Sequence, residues 1–174
     1  MHPITHGLIG WLMSQPLEKR RDRALVTASA LVPDLDGLSL LSSVEDYERW
    51  HHTFGHNAFF GLALAAASFA WTRSRKTAIF VFAGFHTHIA GDLLGSGSDW
   101  PIPYFWPASD WMLASVPPLQ WNLSSWQSFV ITAIAMALTV RMALVRERTI
   151  MEVVNAKADQ QVVETIRRRF KRAS

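Results

Sequence analysis

The sequence predicts an all-α fold: an antiparallel bundle of about five to six helices, embedded in a membrane and carrying one long Trp/Pro-rich loop. Three observations lead there. Of 174 residues 49 % are apolar and 18 % charged, an apolar-rich balance for a soluble domain. The apolar residues are gathered into runs long enough for helices, at 57–72, 77–94 and 126–145. Basic residues mark one end of these runs, and short His/Asp clusters mark the other.

Residues 3–15 read as a short apolar helix after Pro3, a good first-turn residue. It stops at Gln15-Pro16 and a basic loop over 18–23. Residues 24–32 form a second helix, ended by Pro33, because the residue before a proline is pushed out of helical conformation. Residues 37–50 are an acidic, serine-containing connection. Two apolar helices follow, 57–72 and 77–94, joined by the basic turn Arg73–Lys76. Residues 95–123 read as an irregular loop with room for one short hairpin, and 126–145 as a long apolar helix. Residues 147–172 make a charged amphipathic helix ending in Arg167-Arg168-Arg169-Phe170-Lys171-Arg172. The expected organisation is a helical domain over 1–146 and a charged C-terminal helix with a basic tail over 147–174.

All Lys and Arg except Arg49 fall into four groups: Lys19–Arg23, Arg73–Lys76, Arg141–Arg148 and Lys157–Arg172. Laying the helices as antiparallel hairpins puts the first three groups at one end. His6, Asp34, Asp36, His51, His56 and Asp92 then fall toward the other, with His88 about one turn deeper. Short loops rich in Lys and Arg stay in the cytoplasm, so the C-terminus is expected inside and the cluster toward the outer face. Segment length argues the other way. Residues 57–72 reach roughly 24 Å, short of the roughly 30 Å hydrocarbon core, which keeps a soluble or peripheral protein as the alternative. No cleavable signal peptide is expected. The tail lacks aromatic interleaving, so nucleic acid is not an expected partner; membrane lipid is, with the basic helix on anionic lipid and Trp100, Trp106, Trp111, Trp121 and Trp126 at the interface.

There are no cysteines, which excludes disulfides and thiolate metal sites. Any metal must use imidazole and carboxylate, as zinc, manganese or iron do. His88 and Asp92 are four apart and share a helical face. Asp34 and Asp36 follow Pro33 in Pro-Asp-Leu-Asp; two apart in an extended chain they point the same way, or they cap backbone amides in a turn. His51 and His56 flank the start of the 57–72 helix. Segments that each bring His or Asp to one pole are what a multinuclear site needs. Such ligands lower the pKa of bound water to near 7, and two ions about 4 Å apart clamp an oxyanion.

These residues resemble a known family, the bacterial membrane-bound predicted metal-dependent hydrolases whose best-known members are regulated by the LexA repressor. The family pattern runs from an early Gly-His through Pro-Asp-x-Asp, His-Arg-Gly-x-Thr-His-Ser and Ser-His-x-x-x-Asp to a loop ending in Trp-Pro. Here the corresponding stretches are Thr5-His6-Gly7, Pro33-Asp34-Leu35-Asp36, His51–Asn57, His86–Asp92 and Trp100–Pro107. The likeness covers residues 1–107 in order. Two departures stand out. The family's arginine after the first histidine is His52 here, which cannot grip a phosphate in the bidentate manner of arginine. The Thr and Ser around the second histidine are Gly55 and Asn57. More distantly, the pattern is similar to zinc-dependent phospholipases C and related nucleases.

The expected function is a metal-dependent hydrolase with two divalent ions, zinc first and manganese or iron as alternatives. Its ligands are His6, Asp34, Asp36, His51, His56, His88 and Asp92. Asp34 or Asp36 would bridge the ions or act as general base, and a bound hydroxide would attack a lipid or lipid-linked phosphoester. His2, His52 and His86 are candidates for supporting the ligands. The rival readings are a structural metal that staples the helices, and an ion or proton pathway.

Overall fold

The computed structural model describes residues 1–97, 100–114 and 119–171; Arg172 of the basic tail and Pro117 and Pro118 of the loop lie outside them. Among the described residues there are seven α-helices, two 3-10 helices and no strand beyond one isolated bridge. In order they are α1 (Pro3–Met13), α2 (Arg20–Ser29), a long 3-10 helix (Val32–Leu41), α3 (Val44–Trp50), α4 (Ala58–Thr72), α5 (Arg75–Gly95), α6 (Trp126–Arg146), a short 3-10 helix (Ile150–Val153) and α7 (Ala156–Lys171).

Helix ends follow local chemistry. Pro3 opens α1 within its first two positions. Asn57 and Ser74 cap α4 and α5 by accepting from the Phe60 and Thr77 amides at 2.9 and 3.1 Å, satisfying donors that no helix can pair internally. Three elements differ from the sequence reading. Residues 33–36 are not extended: they lie in the 3-10 helix Val32–Leu41, where residues two apart do not share a face. The acidic connection 37–50 is not loop: Ser43 accepts from the Asp46 amide and starts α3, with Glu45 and Asp46 in the first turn where the helix dipole favours acids. The C-terminal stretch is not one helix, because α6 ends on Glu147 in the left-handed region and chain direction changes before α7.

Helix α5 is the centre of the bundle, with α1, α2 and α4 against it and α6 against α1. One apolar cluster joins Leu17, Val26 and Val81; a second joins Phe85, Ile89 and Ile102. The loop after α5 is tied down by the Ile102–Leu113 bridge and by the Ala58 amide donating to the Tyr104 carbonyl at 2.7 Å.

Helices α5 and α6 are long and apolar enough to cross a membrane, and α2 with the long 3-10 helix makes a third candidate, bent by 49°. Helix α4, at 15 residues, is shorter. The outer faces of α4 and α6 expose Phe59, Leu62, Trp71, Phe129, Ile134 and Met136, as lipid-facing helices do.

The basic groups do meet at one end. Lys76 donates to the Pro16 carbonyl at 3.0 Å, the Arg21 guanidinium lies 5.8 Å from the Trp71 ring centroid, and Arg23 pairs with Glu152. Glu152 is buried there. Its Oε1 accepts from Trp11 Nε1 at 2.9 Å and from Arg23 Nε at 2.7 Å, tying the C-terminal segment to α1 and α2.

Candidate metal centre

At the opposite end three elements converge. The break after α2 delivers Asp34, the loop before α4 delivers His56, and one face of α5 delivers His88 and Asp92. One donor atom from each lies within 4.8 Å of all the others. His88 Nε2 is 3.0 Å from His56 Nε2, 2.9 Å from Asp92 Oδ2 and 3.6 Å from Asp34 Oδ1. His56 Nε2 is 3.4 Å from Asp92 Oδ2. Four ligands at zinc-bond length in a tetrahedron sit roughly 3.3–3.6 Å apart, so the spacing suits one ion.

The outer nitrogens fix which ring atoms are available. His88 Nδ1 donates to the Ala30 carbonyl at 2.9 Å. That carbonyl is free for a specific reason. Three residues on stands Pro33, which has no N–H, and the Asp34 amide bonds to Leu31 instead. His56 Nδ1 lies 2.9 Å from Asp36 Oδ2, a carboxylate–histidine pair of the kind that orients metal ligands. Both neutral rings therefore aim bare Nε2 atoms at each other, which is unfavourable unless a cation sits between them. In the protein alone a proton serves. Burial works to lower the His56 pKa, yet its bonds with Asp36 and Asp92 raise it to about 9. Asp34 Oδ2 and Asp92 Oδ2 are buried without a hydrogen-bond partner, although Asp92 Oδ2 is close to two ring nitrogens. Lone pairs that converge without being aligned for hydrogen bonds fit a divalent ion.

Asp36, His51, His6 and His52 surround these four; His2 and His86 do not. Asp36 is engaged by His51 Nδ1 at 2.8 Å, His56 Nδ1 and the Gly55 amide at 3.1 Å. His51 stacks on Tyr47 with centroids 4.6 Å apart. His6 Nε2 lies 3.1 Å from Asp92 Oδ1 and its ring is 4.0 Å from that of His88; the Met1 amine also donates to Asp92 Oδ1. His52 is buried, with Nε2 4.0 Å from Asp92 Oδ2 and a left-handed backbone at φ 68°. Burial and the neighbouring His56 lower its pKa to about 3. The His2 ring lies against Phe129 of α6, 5.9 Å away. His86 stands apart: two residues from His88 puts it on another helix face, where it meets the Phe82 carbonyl and the Tyr104 hydroxyl at 2.8 and 2.6 Å.

Glycine permits two close approaches. A Cβ on Gly55 would sit 2.4 Å from the Pro33 carbonyl oxygen, and one on Gly91 2.8 Å from His6 Cε1. Gly55 thus lets the histidine loop lie against the Pro-Asp segment. A cavity of about 340 Å³ adjoins the ligands, lined by Asp34, Asp92, His51 and His52 on its polar side and by Leu38, Leu123 and Trp100 elsewhere. Trp100, which the sequence reading placed at the membrane interface in a loop able to roof the site, lines this cavity, and so does Tyr47, which that reading missed. The Trp100 ring centroid lies 5.6 Å from that of His51, edge-on, and 5.5 Å from that of His52; nothing in the sequence pointed to Tyr47.

An all-helical membrane protein with a buried His/Asp group able to hold a metal ion is the class that fold and site define. The chain belongs to the YdjM inner membrane protein family, whose model matches residues 1–156. No curated protein and no solved structure was found to match it.

Proposed function

We propose that this protein is a metal-dependent hydrolase acting on a phosphoester. The observation that carries the reading is the group Asp34, His56, His88 and Asp92, which combines two imidazoles and two carboxylates at the edge of a cavity large enough for a small substrate. That donor set favours zinc. A divalent ion held there would lower the pKa of its water toward 7 and polarise a phosphoryl oxygen. The chain's own residues do the rest. Asp36 and the Ala30 carbonyl lock the tautomers of His56 and His88. Asp34 is the aspartate of the Pro-Asp-Leu-Asp segment that lines the cavity, within reach of a water proton, whereas Asp36 is held by three donors. His51 also lines the cavity, with its Nδ1 held by Asp36. His52, neutral, lies where the resembling family carries arginine, so oxyanion stabilisation falls to the ion.

The gathering of basic groups at the other pole supports the orientation expected from the loops: basic end and C-terminus in the cytoplasm, site toward the outer face. The test is elemental analysis of gently purified protein with hydrolysis of bis-p-nitrophenyl phosphate. Stoichiometric metal and turnover lost together in His88→Ala and Asp92→Ala support the reading. Metal bound without turnover would make it a structural staple, and metal unchanged in both variants would remove the site.

A further inference from the structure

The long 3-10 helix Val32–Leu41 is the least ordinary element of the fold. Ten residues is well beyond the three or four common for this helix type, and of its residues Pro33 alone is fully buried. With three residues per turn, side chains at i and i+3 eclipse. Leu35, Leu38 and Leu41 therefore stand in one ridge, and they are 56, 58 and 86 % exposed. The adjacent ridge carries Asp34 and Gly37, both of which line the metal-site cavity. One short element thus faces the ion-binding group on one side and presents a leucine stripe on the next.

The stripe leads into the cavity. Leu38 and Leu123 both line it and are both exposed, so they stand at its mouth, and Pro3 lines it beside exposed Ile4. Beyond the mouth, Trp126 and Phe129 expose the first turn of α6, a helix fit to cross the membrane. Leu123 of the mouth thus stands three residues before the exposed first turn of a helix fit to cross the membrane. Irregular backbone at membrane depth is tolerated where it lines a cavity, which is where this bent segment lies. The floor is suited to an anion through a bound cation, and the rim to hydrocarbon.

We propose that the substrate is an amphiphile, a phosphoester carrying a hydrocarbon chain. It reaches the site sideways from the lipid, with its chain along the Leu35–Leu38–Leu41 ridge and its phosphate passing between Leu38 and Leu123. This rests on the hydrolase reading above but is tested separately from it. Full-length zinc-loaded protein in one detergent is given two diesters, hexadecyl and ethyl p-nitrophenyl phosphate. In each, water cleaves the aryl P–O bond, the alkyl phosphate keeps the new oxygen, and p-nitrophenolate leaves. The expected kcat/KM ratio favours the hexadecyl ester at least tenfold, and in Leu35→Asn/Leu41→Asn that ratio falls at least tenfold. Both positions are exposed, so folding is not at stake. Equal rates for the two esters, or an unchanged ratio in the variant, overturn the proposal while leaving the hydrolase reading standing.

Binding supplies the second measurement. A doxyl-labelled alkyl phosphate is expected to quench tryptophan fluorescence in the wild type, less in Trp100→Phe, and with weaker affinity in the leucine variant. Quenching of this pattern without hydrolysis of either ester would sink the hydrolase reading and keep the lateral path. Quenching identical in all three proteins would sink the path.

Discussion

The Arg23–Glu152 pair and the His/Asp group, at opposite poles of the bundle, bury charge in opposite ways. At the basic pole Arg23 and Glu152 close on themselves: the carboxylate accepts from Arg23 and Trp11, and the Arg23 Nη1 donates to the Leu17 and Glu18 carbonyls at 2.9 and 2.7 Å. At the His/Asp pole Asp34 Oδ2, Asp92 Oδ2 and His52 Nδ1 are buried without partners, and two imidazole nitrogens face each other. Both arrangements cost desolvation. A closed pair returns that cost as fixed structure. An open one returns it only when something cationic arrives. Partner count, more than burial or charge, separates a clasp from a site.

The sharpest way to break the contrast is to remove one open ligand. Asp92→Ala is expected to lower zinc affinity at least a hundredfold, read by competition with a chromophoric chelator, because two ring nitrogens lose their carboxylate. Glu152→Ala should do the reverse. Leaving Arg23 buried and unpaired costs about 3 kcal/mol, seen as a lower Tm, with metal content unchanged. If Glu152→Ala also empties the site, the two poles are not independent. Asp36→Asn tests the support of a ligand from outside the ligand set, and a loss of about 10–100-fold in zinc affinity is expected. Gly55→Ala should fall in the same range by pushing the histidine loop off Pro33. The smallest effect concerns protons. With the His56 pKa raised to about 9, an ion must displace one proton at neutral pH. Zinc affinity should then climb about tenfold per pH unit and level off above pH 9. A flat profile between pH 7 and 9 would mean that His56 is not a ligand.

Much of this geometry is legible before any coordinates. Apolar runs and basic turns are enough to fold the chain into hairpins, and hairpins carry residues 34, 56, 88 and 92 to one end. Helix phase separates His88 from His86, since four-residue spacing to Asp92 selects the former. What sequence does not carry is the difference between touching an ion and holding the residue that touches it. Asp34 and Asp36 are chemically identical neighbours; only the path of the His51–His56 loop, allowed by Gly55, turns one toward the ligand group and the other toward His51 and His56. The Arg23–Glu152 clasp is equally invisible, because it joins positions 129 residues apart whose elements look merely basic and amphipathic. The leucine ridge needs a 3-10 helix, and nothing in Leu-Asp-Gly-Leu-Ser-Leu-Leu distinguishes that winding from an α-helix or a loop.

The interruption of α2 at Pro33 has a consequence for anyone hoping to toughen this protein. Healing the break, by replacing Pro33 with alanine so that helix runs on, would add an amide able to claim the Ala30 oxygen. The His88 imidazole would then lose the anchor that keeps its inner nitrogen bare. A sturdier scaffold would hold its ion less well, so here a defect in the winding is the instrument that sets the ligand.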